Sequence, residues 1–175
     1  MLLPGQNSNS LARDEDVGST RLMPKPAVTS SATLFMAAKA YKNAMAVLLP
    51  QVDQPGRHHL NSPYALLGGF ALELAFKAIL RANGKTDDDL KALSHSIKKA
   101  HFAALEQGFL SSDPEALKRL VDKMQEPHAG FLMRYIPAGV DEIALPHPTR
   151  ALAVLEKLME DIESQYESIA IEMPR

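Results

Sequence analysis

Apolar residues recur every three or four positions along most of the chain, the spacing of helices with one buried face. We predict a first helix over 31–49, ended by Pro50. Its buried stripe has the residues Leu34, Ala37, Ala38, Tyr41, Met45 and Leu48. A last helix is predicted over 149–169. Its stripe has the residues Leu152, Leu155, Leu158, Met159 and Ile162. Both patterns indicate amphipathic helices that share one core.

The second helix has a different pattern, because the run 64–83 (YALLGGFALELAFKAILRAN) is apolar on every side of a helical wheel. Such a helix is surrounded by other helices, yet this one carries Glu73, Lys77 and Arg81. An isolated buried charge is costly, so these charges must be paired or hydrogen-bonded. Glu73 and Lys77 are four residues apart and share a helix face. The run therefore predicts a central helix with a polar spot in the core.

Capping residues give the boundaries of this helix and of the segment that follows it. Asn61 or Ser62 is predicted to cap the central helix, with Pro63 at its first position. Gly84 is predicted to end it. The segment 86–96 begins with acidic residues, which suit the positive end of a helix, and predicts a short helical turn.

Two further helices follow. The third ends at Gly108, and its buried face is predicted to contain Ile97, Ala100, Ala104 and Leu105. Ser112 or Asp113 caps a fourth helix that starts at Pro114 and is broken at Pro127. Its inward residues are Leu117, Leu120, Val121 and Met124. A connector over 128–148 leads to the last helix.

These elements predict an all-α fold, a four- to five-helix and mostly antiparallel bundle over 30–172. Residues 1–29 are rich in Ser, Asn, Asp, Pro and Gly, and we expect a disordered or loosely docked tail.

The net charge of −2 gives no overall attraction to nucleic acid or membrane, and cysteine chemistry is excluded because the chain has no cysteine. With no signal-peptide pattern at the start, we expect a cytoplasmic protein with no membrane partner.

The candidate site combines residues that are far apart in the sequence: Glu73, Lys77, His95, Arg134 and Tyr135. A carboxylate that meets an arginine and a histidine inside a bundle forms charge-assisted hydrogen bonds. One interpretation is a structural network that holds the connector against the core. The other is a pocket for a phosphate, a nucleotide or an RNA backbone, with Arg134 and Lys77 as anion contacts.

The remaining candidates carry weaker signals. No metal-binding motif is present, and His95 and His101 are six apart, a poor spacing for two ligands on one helix face; we expect no metal and no cofactor. His95 or His147 could act as general acid or base on a phosphodiester.

A basic edge is interpreted as the solvated side of amphipathic helices. It contains Lys98, Lys99, Lys118, Arg119 and Lys123. Gly68 and Gly69 are interpreted as points of close helix approach.

Three segments within about 62–137 resemble the HEPN superfamily of helical bundles: ALLGGFALELAFKAILRANGK, LKALSHSIKKAHFAALEQG and FLMRYIPAG. The matching residues are Glu73, Leu74, Lys77, Ala78, Leu80, Gly84, Lys85, His95, Ser96, Ile97, Arg134 and Tyr135. The resemblance implies an all-α bundle, a homodimer, and a role with RNA, nucleotides or defence systems such as toxin–antitoxin pairs and phage defence.

Active HEPN ribonucleases carry an arginine followed after four to six residues by a histidine, and no arginine–histidine pair here has that spacing. The resemblance therefore implies a binding module for RNA, a nucleotide or a protein partner. Two alternatives stay open. One is an atypical metal-independent ribonuclease that uses Arg134 with His95 or His147. The other is a protein-binding scaffold with no catalytic role.

Overall fold

The computed structural model describes residues 28–130, 144–167 and 169. In these residues every regular element is helical, with six α-helices, one 3₁₀ turn and no strand. The α-helices are α1 (Ser31–Val52), α2 (Asn61–Ala82), α3 (Asp87–Ala92), α4 (Ile97–Glu106), α5 (Pro114–Ala129) and α6 (Pro148–Gln165), and the 3₁₀ turn is His58–Leu60. The all-α bundle is confirmed, and α3 is the short helical turn predicted before the third long helix. Of the predicted N-terminal tail, residues 1–27 lie outside the described residues.

Helix α2 is the centre of the bundle, as its uniformly apolar sequence predicts. It contacts all five other helices and the 3₁₀ turn. Its fully buried side chains include Leu72, Phe76 and Ile79. The predicted stripes of α5 and α6 are buried against the same core. Leu105 of α4 is a correction, because its side chain is exposed while the other three predicted residues of that face are buried.

Both prolines that were predicted to end helices lie inside them. α1 continues through Pro50 to Val52, and α5 continues through Pro127 to Ala129. A proline removes one backbone donor from the helix ladder, and in the last turn few further hydrogen bonds depend on it. Val52 and Pro127 are both buried, so the added turns gain core contacts. The extension of α5 has a direct consequence for the site, since it carries the next residue, His128.

The other boundaries show where capping signals are reliable. α2 begins at Asn61 directly after the 3₁₀ turn and has no side-chain cap, so the predicted Asn61 or Ser62 cap is wrong. Its predicted stop is confirmed: Gly84 has φ +84°, and the next amide, of Lys85, donates to the Leu80 carbonyl at 3.0 Å. Asp113 caps α5 as predicted. Among the described residues, no helix combines the length and the apolar character that crossing a membrane requires.

A buried carboxylate that the sequence analysis did not single out fixes the loop between α4 and α5. Asp161 of α6 is 9% exposed and accepts hydrogen bonds from the Ser112 amide at 2.9 Å and from the hydroxyls of Ser111 and Ser112. All three bonds end on the same carboxylate oxygen, Oδ2. We interpret Asp161 as structural, because it holds the start of α5 against α6.

Candidate functional site

Glu73 lies in the middle of α2 and is 4% exposed. Its first oxygen, Oε1, accepts from the Lys77 ammonium at 2.6 Å. Its second, Oε2, lies 2.6 Å from Nε2 of His128 and 3.2 Å from Nδ1 of His95. One carboxylate therefore joins α2 to the last turn of α5 and to the residue that precedes the N-cap of α4. We call Glu73, Lys77, His95 and His128 the Glu73 cluster.

The Glu73 carboxylate is ionised at neutral pH. Burial raises the pKa of Glu73, but the hydrogen bonds from the two imidazoles and from Lys77, together with the positive charge of Lys77, outweigh it. They lower the pKa from its ordinary 4.5 to about 2. Glu73 is therefore an anion that only accepts hydrogen bonds, which requires its neighbours to be donors.

The backbone just before α4 is shaped to complete the cluster. Ser94 has φ +52°, a left-handed conformation that is rare for residues other than glycine. In this conformation its carbonyl accepts from Lys77 Nζ at 2.9 Å, which gives the ammonium a second partner. The next residue, His95, reaches Glu73, and Ser96 then caps α4. A strained backbone persists where several surrounding contacts hold it in place. Here those contacts are the bond from Lys77 to the Ser94 carbonyl and the bond between His95 and Glu73.

His128 enters the cluster through a gap in the surface of α2. A Cβ added to Gly69 would lie 2.3 Å from Nδ1 of His128, so only glycine leaves room for the ring. Gly68 gives similar room to the ends of Met45 and Met124, which confirms both glycines as points of close approach. In the described part of the chain, His128 Nδ1 has no hydrogen-bond partner. A proton there would be buried without an acceptor, so we place the ring proton on Nε2, where it is donated to Glu73.

Exposure divides the cluster into an inner and an outer part. The side chains of His128 and Glu73 are 3% and 5% exposed, and that of Lys77 is 14% exposed. The side chain of His95 is 42% exposed. The cluster is thus a buried ion-pair network with one imidazole at the molecular surface.

A groove of about 370 Å³ lies beside the cluster, where α2 meets the start of α1 and α3. Three cationic side chains and one carboxylate line it: Lys77, Arg81, Lys91 and Asp87. One leucine from each of the three helices also lines it: Leu34, Leu74 and Leu90. Arg81 is fixed by a hydrogen bond to the Lys85 carbonyl at 2.7 Å and by an ion pair with Asp87. Its Nε is buried and has no hydrogen-bond partner among the described residues.

The structure brings together three of the five residues of the predicted site: Glu73, Lys77 and His95. Arg134 and Tyr135 lie outside the described residues. His147 is not among the hydrogen-bond partners of Glu73 described above. It is exposed and directly precedes the first residue of α6. His128 is the residue that the sequence analysis missed. It continues the spacing of Leu117, Leu120, Val121 and Met124 by one more turn, and the prediction that Pro127 ends the helix concealed it.

The basic edge is neutralised where the structure shows its contacts. Asp122 pairs with Lys98 and with Lys118, at 2.8 Å in both cases. Hydrogen bonds from these two lysines lower the pKa of Asp122 to about 2. Nη1 of Arg119 lies 3.9 Å from Oε2 of Glu115. These contacts support the interpretation of a solvated helix face over that of a phosphate-binding surface.

Comparison with known proteins identifies no relative, since no protein-family model, no curated protein and no solved structure matches the chain.

Proposed function

We propose that the chain is a HEPN-like helical binding module that recognises a nucleotide or an RNA nucleotide in the groove beside the Glu73 cluster. The observation that supports this proposal most is the lining of the groove, which combines three cations with three leucines against one carboxylate. A phosphate needs cationic donors, and a base or ribose needs an apolar surface. The resemblance to HEPN proteins points to the same class of ligand.

Each of the three cations already has an acidic partner: Glu73 for Lys77, Asp87 for Arg81 and Asp88 for Lys91. Each side chain keeps further donors, which favours a phosphate over a carboxylate or a neutral ligand. Lys77 and Arg81 lie one helical turn apart on α2, and Lys91 reaches the groove from α3. The Nε donor of Arg81, which has no acceptor among the described residues, leaves hydrogen-bonding capacity that a ligand oxygen could use after a small rotation of the side chain. A phosphate has enough oxygens to accept from all three side chains at once.

Binding of RNA oligonucleotides and of nucleotides, measured by fluorescence anisotropy or calorimetry at physiological salt and in EDTA, tests this proposal. Lys91→Ala is the informative variant because the Lys91 side chain is 76% exposed and contributes little to the core. We expect it to weaken binding by about 3- to 10-fold, the effect of one lost phosphate contact. Lys123→Ala is the matched control, since it removes an exposed lysine of the basic edge and should leave the affinity unchanged.

Two outcomes would overturn the assignment of the groove. One is equal binding by the native protein and Lys91→Ala. The other is an equal loss of affinity in Lys123→Ala, which would move the site to the basic edge. No binding of RNA or nucleotide at all, with a specific protein partner instead, would favour a protein-binding role. Phe102 and Leu105, exposed on one face of α4, would then be the surface to mutate.

The second candidate is the atypical metal-independent ribonuclease, and the position of His95 favours it. Glu73 holds Nδ1 of this imidazole, while the side chain is 42% exposed to solvent. A carboxylate that orients a histidine is a common arrangement for a general acid or base. This candidate predicts RNA cleavage in EDTA that is lost in both His95→Ala and Arg134→Ala while each variant stays folded.

A further inference from the structure

We infer that Glu73, His95 and His128 form a binding site for one divalent transition-metal ion. Each residue contributes one donor atom, and the three atoms lie within 4.8 Å of one another. In the described part of the chain they are the one group of histidine and carboxylate side chains with this geometry. The inference does not rest on the proposed recognition of a nucleotide, because it uses a different set of contacts.

The distances are close to those of a coordination sphere. Ligand atoms about 2.0–2.2 Å from one ion are separated from each other by about 3.0–3.5 Å. Nδ1 of His95 lies 3.2 Å from Oε2 of Glu73, which already fits. Nε2 of His128 lies 2.6 Å from the same oxygen and has to move away by about half an ångström. Rotation of the half-exposed His95 and a small shift of His128 would accommodate the ion.

Two nitrogens and one oxygen are a donor set that suits Zn²⁺, Co²⁺, Ni²⁺ or Fe²⁺ and does not suit Mg²⁺ or Ca²⁺. Three protein ligands leave at least one coordination position for water or substrate, as in catalytic zinc sites. His95 is the ligand that reaches the surface, so an ion can approach from its side. The other oxygen of Glu73, Oε1, is held by Lys77, which orients the carboxylate as an outer-shell contact does.

Two features of the cluster lower the affinity that we expect. The Lys77 ammonium, 2.6 Å from Oε1, repels a cation bound to Oε2. Coordination by His128 Nε2 also moves the ring proton to Nδ1, which faces Gly69 and has no acceptor among the described residues. A missing outer-shell partner costs about 10- to 100-fold in metal affinity. We therefore expect micromolar binding, weaker than in structural zinc sites.

Titration of the full-length protein with Co²⁺ after treatment with EDTA and dialysis tests the site without any assay of activity. We expect one equivalent of Co²⁺ per chain, visible absorption bands typical of low-coordinate Co²⁺ with nitrogen ligands, and displacement by Zn²⁺ but not by Mg²⁺. His95→Gln should weaken binding at least about 10-fold. This variant keeps a polar side chain at a half-exposed position, and circular dichroism checks that it is folded.

His59→Ala is the matched control, because it removes an exposed histidine from the 3₁₀ turn before α2 and should leave the titration unchanged. No stoichiometric binding at millimolar Co²⁺ or Zn²⁺ would overturn the inference, and the cluster would then be a network held by protons alone. Binding that survives His95→Gln would overturn it equally. Since binding of nucleotides is measured in EDTA, neither result alters the test of the proposed function.

Discussion

Loss of the Glu73 carboxylate should lower the stability of the bundle more than loss of any other single charge in the cluster. Glu73→Gln keeps the shape of the side chain and removes its charge, while the Lys77 ammonium, only 14% exposed, keeps its own. Removal of one partner from a buried ion pair costs about 3–5 kcal/mol, because the other charge stays buried. The Ser94 carbonyl still accepts from Lys77 in the variant. We therefore expect the free energy of unfolding at pH 7 to fall by about 2–4 kcal/mol.

The pKa of Glu73 gives a second route to this magnitude and a dependence on pH. The value falls from 4.5 to about 2 on folding, and this difference corresponds to about 3 kcal/mol of stability. Because the folded-state value is the lower one, the stabilisation is complete at pH values above 4.5 and is lost as the pH falls through about 2. At pH 3 the linkage leaves about 1 kcal/mol, so the difference between native protein and Glu73→Gln should shrink by about 2 kcal/mol.

Urea unfolding of both proteins at pH 7, 5 and 3, followed by circular dichroism, measures these differences. Glu163→Gln is the matched control, because Glu163 forms an ion pair of the same 2.6 Å length with Lys39. Those side chains are 35% and 32% exposed, so the control should cost at most about 1 kcal/mol. The reasoning is refuted if Glu73→Gln costs no more than Glu163→Gln, or if its cost is the same at pH 7 and pH 3.

Three further substitutions and one titration test single contacts. Gly69→Ala should destabilise the protein by about 1–3 kcal/mol in urea unfolding, because its Cβ would lie 2.3 Å from the His128 ring. Gly68→Ala should stay within about 1 kcal/mol of the native protein, since its Cβ meets the flexible ends of Met45 and Met124. Ser94→Gly should raise the free energy of unfolding by up to about 1 kcal/mol or leave it unchanged, because φ +52° suits glycine better than serine. A fall of more than about 1 kcal/mol in this free energy would show that the Ser94 backbone is not strained. Burial lowers the pKa of His101, so its NMR titration should have a midpoint below the ordinary 6.5, and a midpoint above 6.5 would contradict burial as the cause.

The sequence predicted the helices well because helical spacing and glycine stops are local signals. The stripe of α6 and the left-handed Gly84 after α2 are read from a few adjacent residues and hold in the structure. The predicted proline stops failed for a physical reason. A proline near the end of a helix removes one hydrogen bond, while burial of the turn that contains Val52 or His128 offsets that loss. Local patterns do not show how much burial a distant surface offers.

The candidate site was predicted in part, and the missing part follows from the same limit. A buried charge implies a partner, and this reasoning is enough to group Glu73, Lys77 and His95 from the sequence. The sequence could not say which histidine fills the remaining space beside Glu73. That choice depends on the gap at Gly69 and on the extra turn of α5, both of which arise only when the helices pack.

The distribution of exposure across the site determines which experiments can separate stability from function. Glu73 and His128 are buried, so any substitution there changes the core and whatever binds beside it. His95 and Lys91 lie at the outer edge, at 42% and 76% exposure of their side chains. Substitutions at these two positions change the surface offered to a ligand at little cost in core contacts. A structural network alone predicts that neither substitution changes binding, and that loss of the His95 hydrogen bond to Glu73 lowers only the free energy of unfolding. A ligand or metal site predicts that binding falls while the free energy of unfolding hardly changes, and this pattern cannot come from loss of packing.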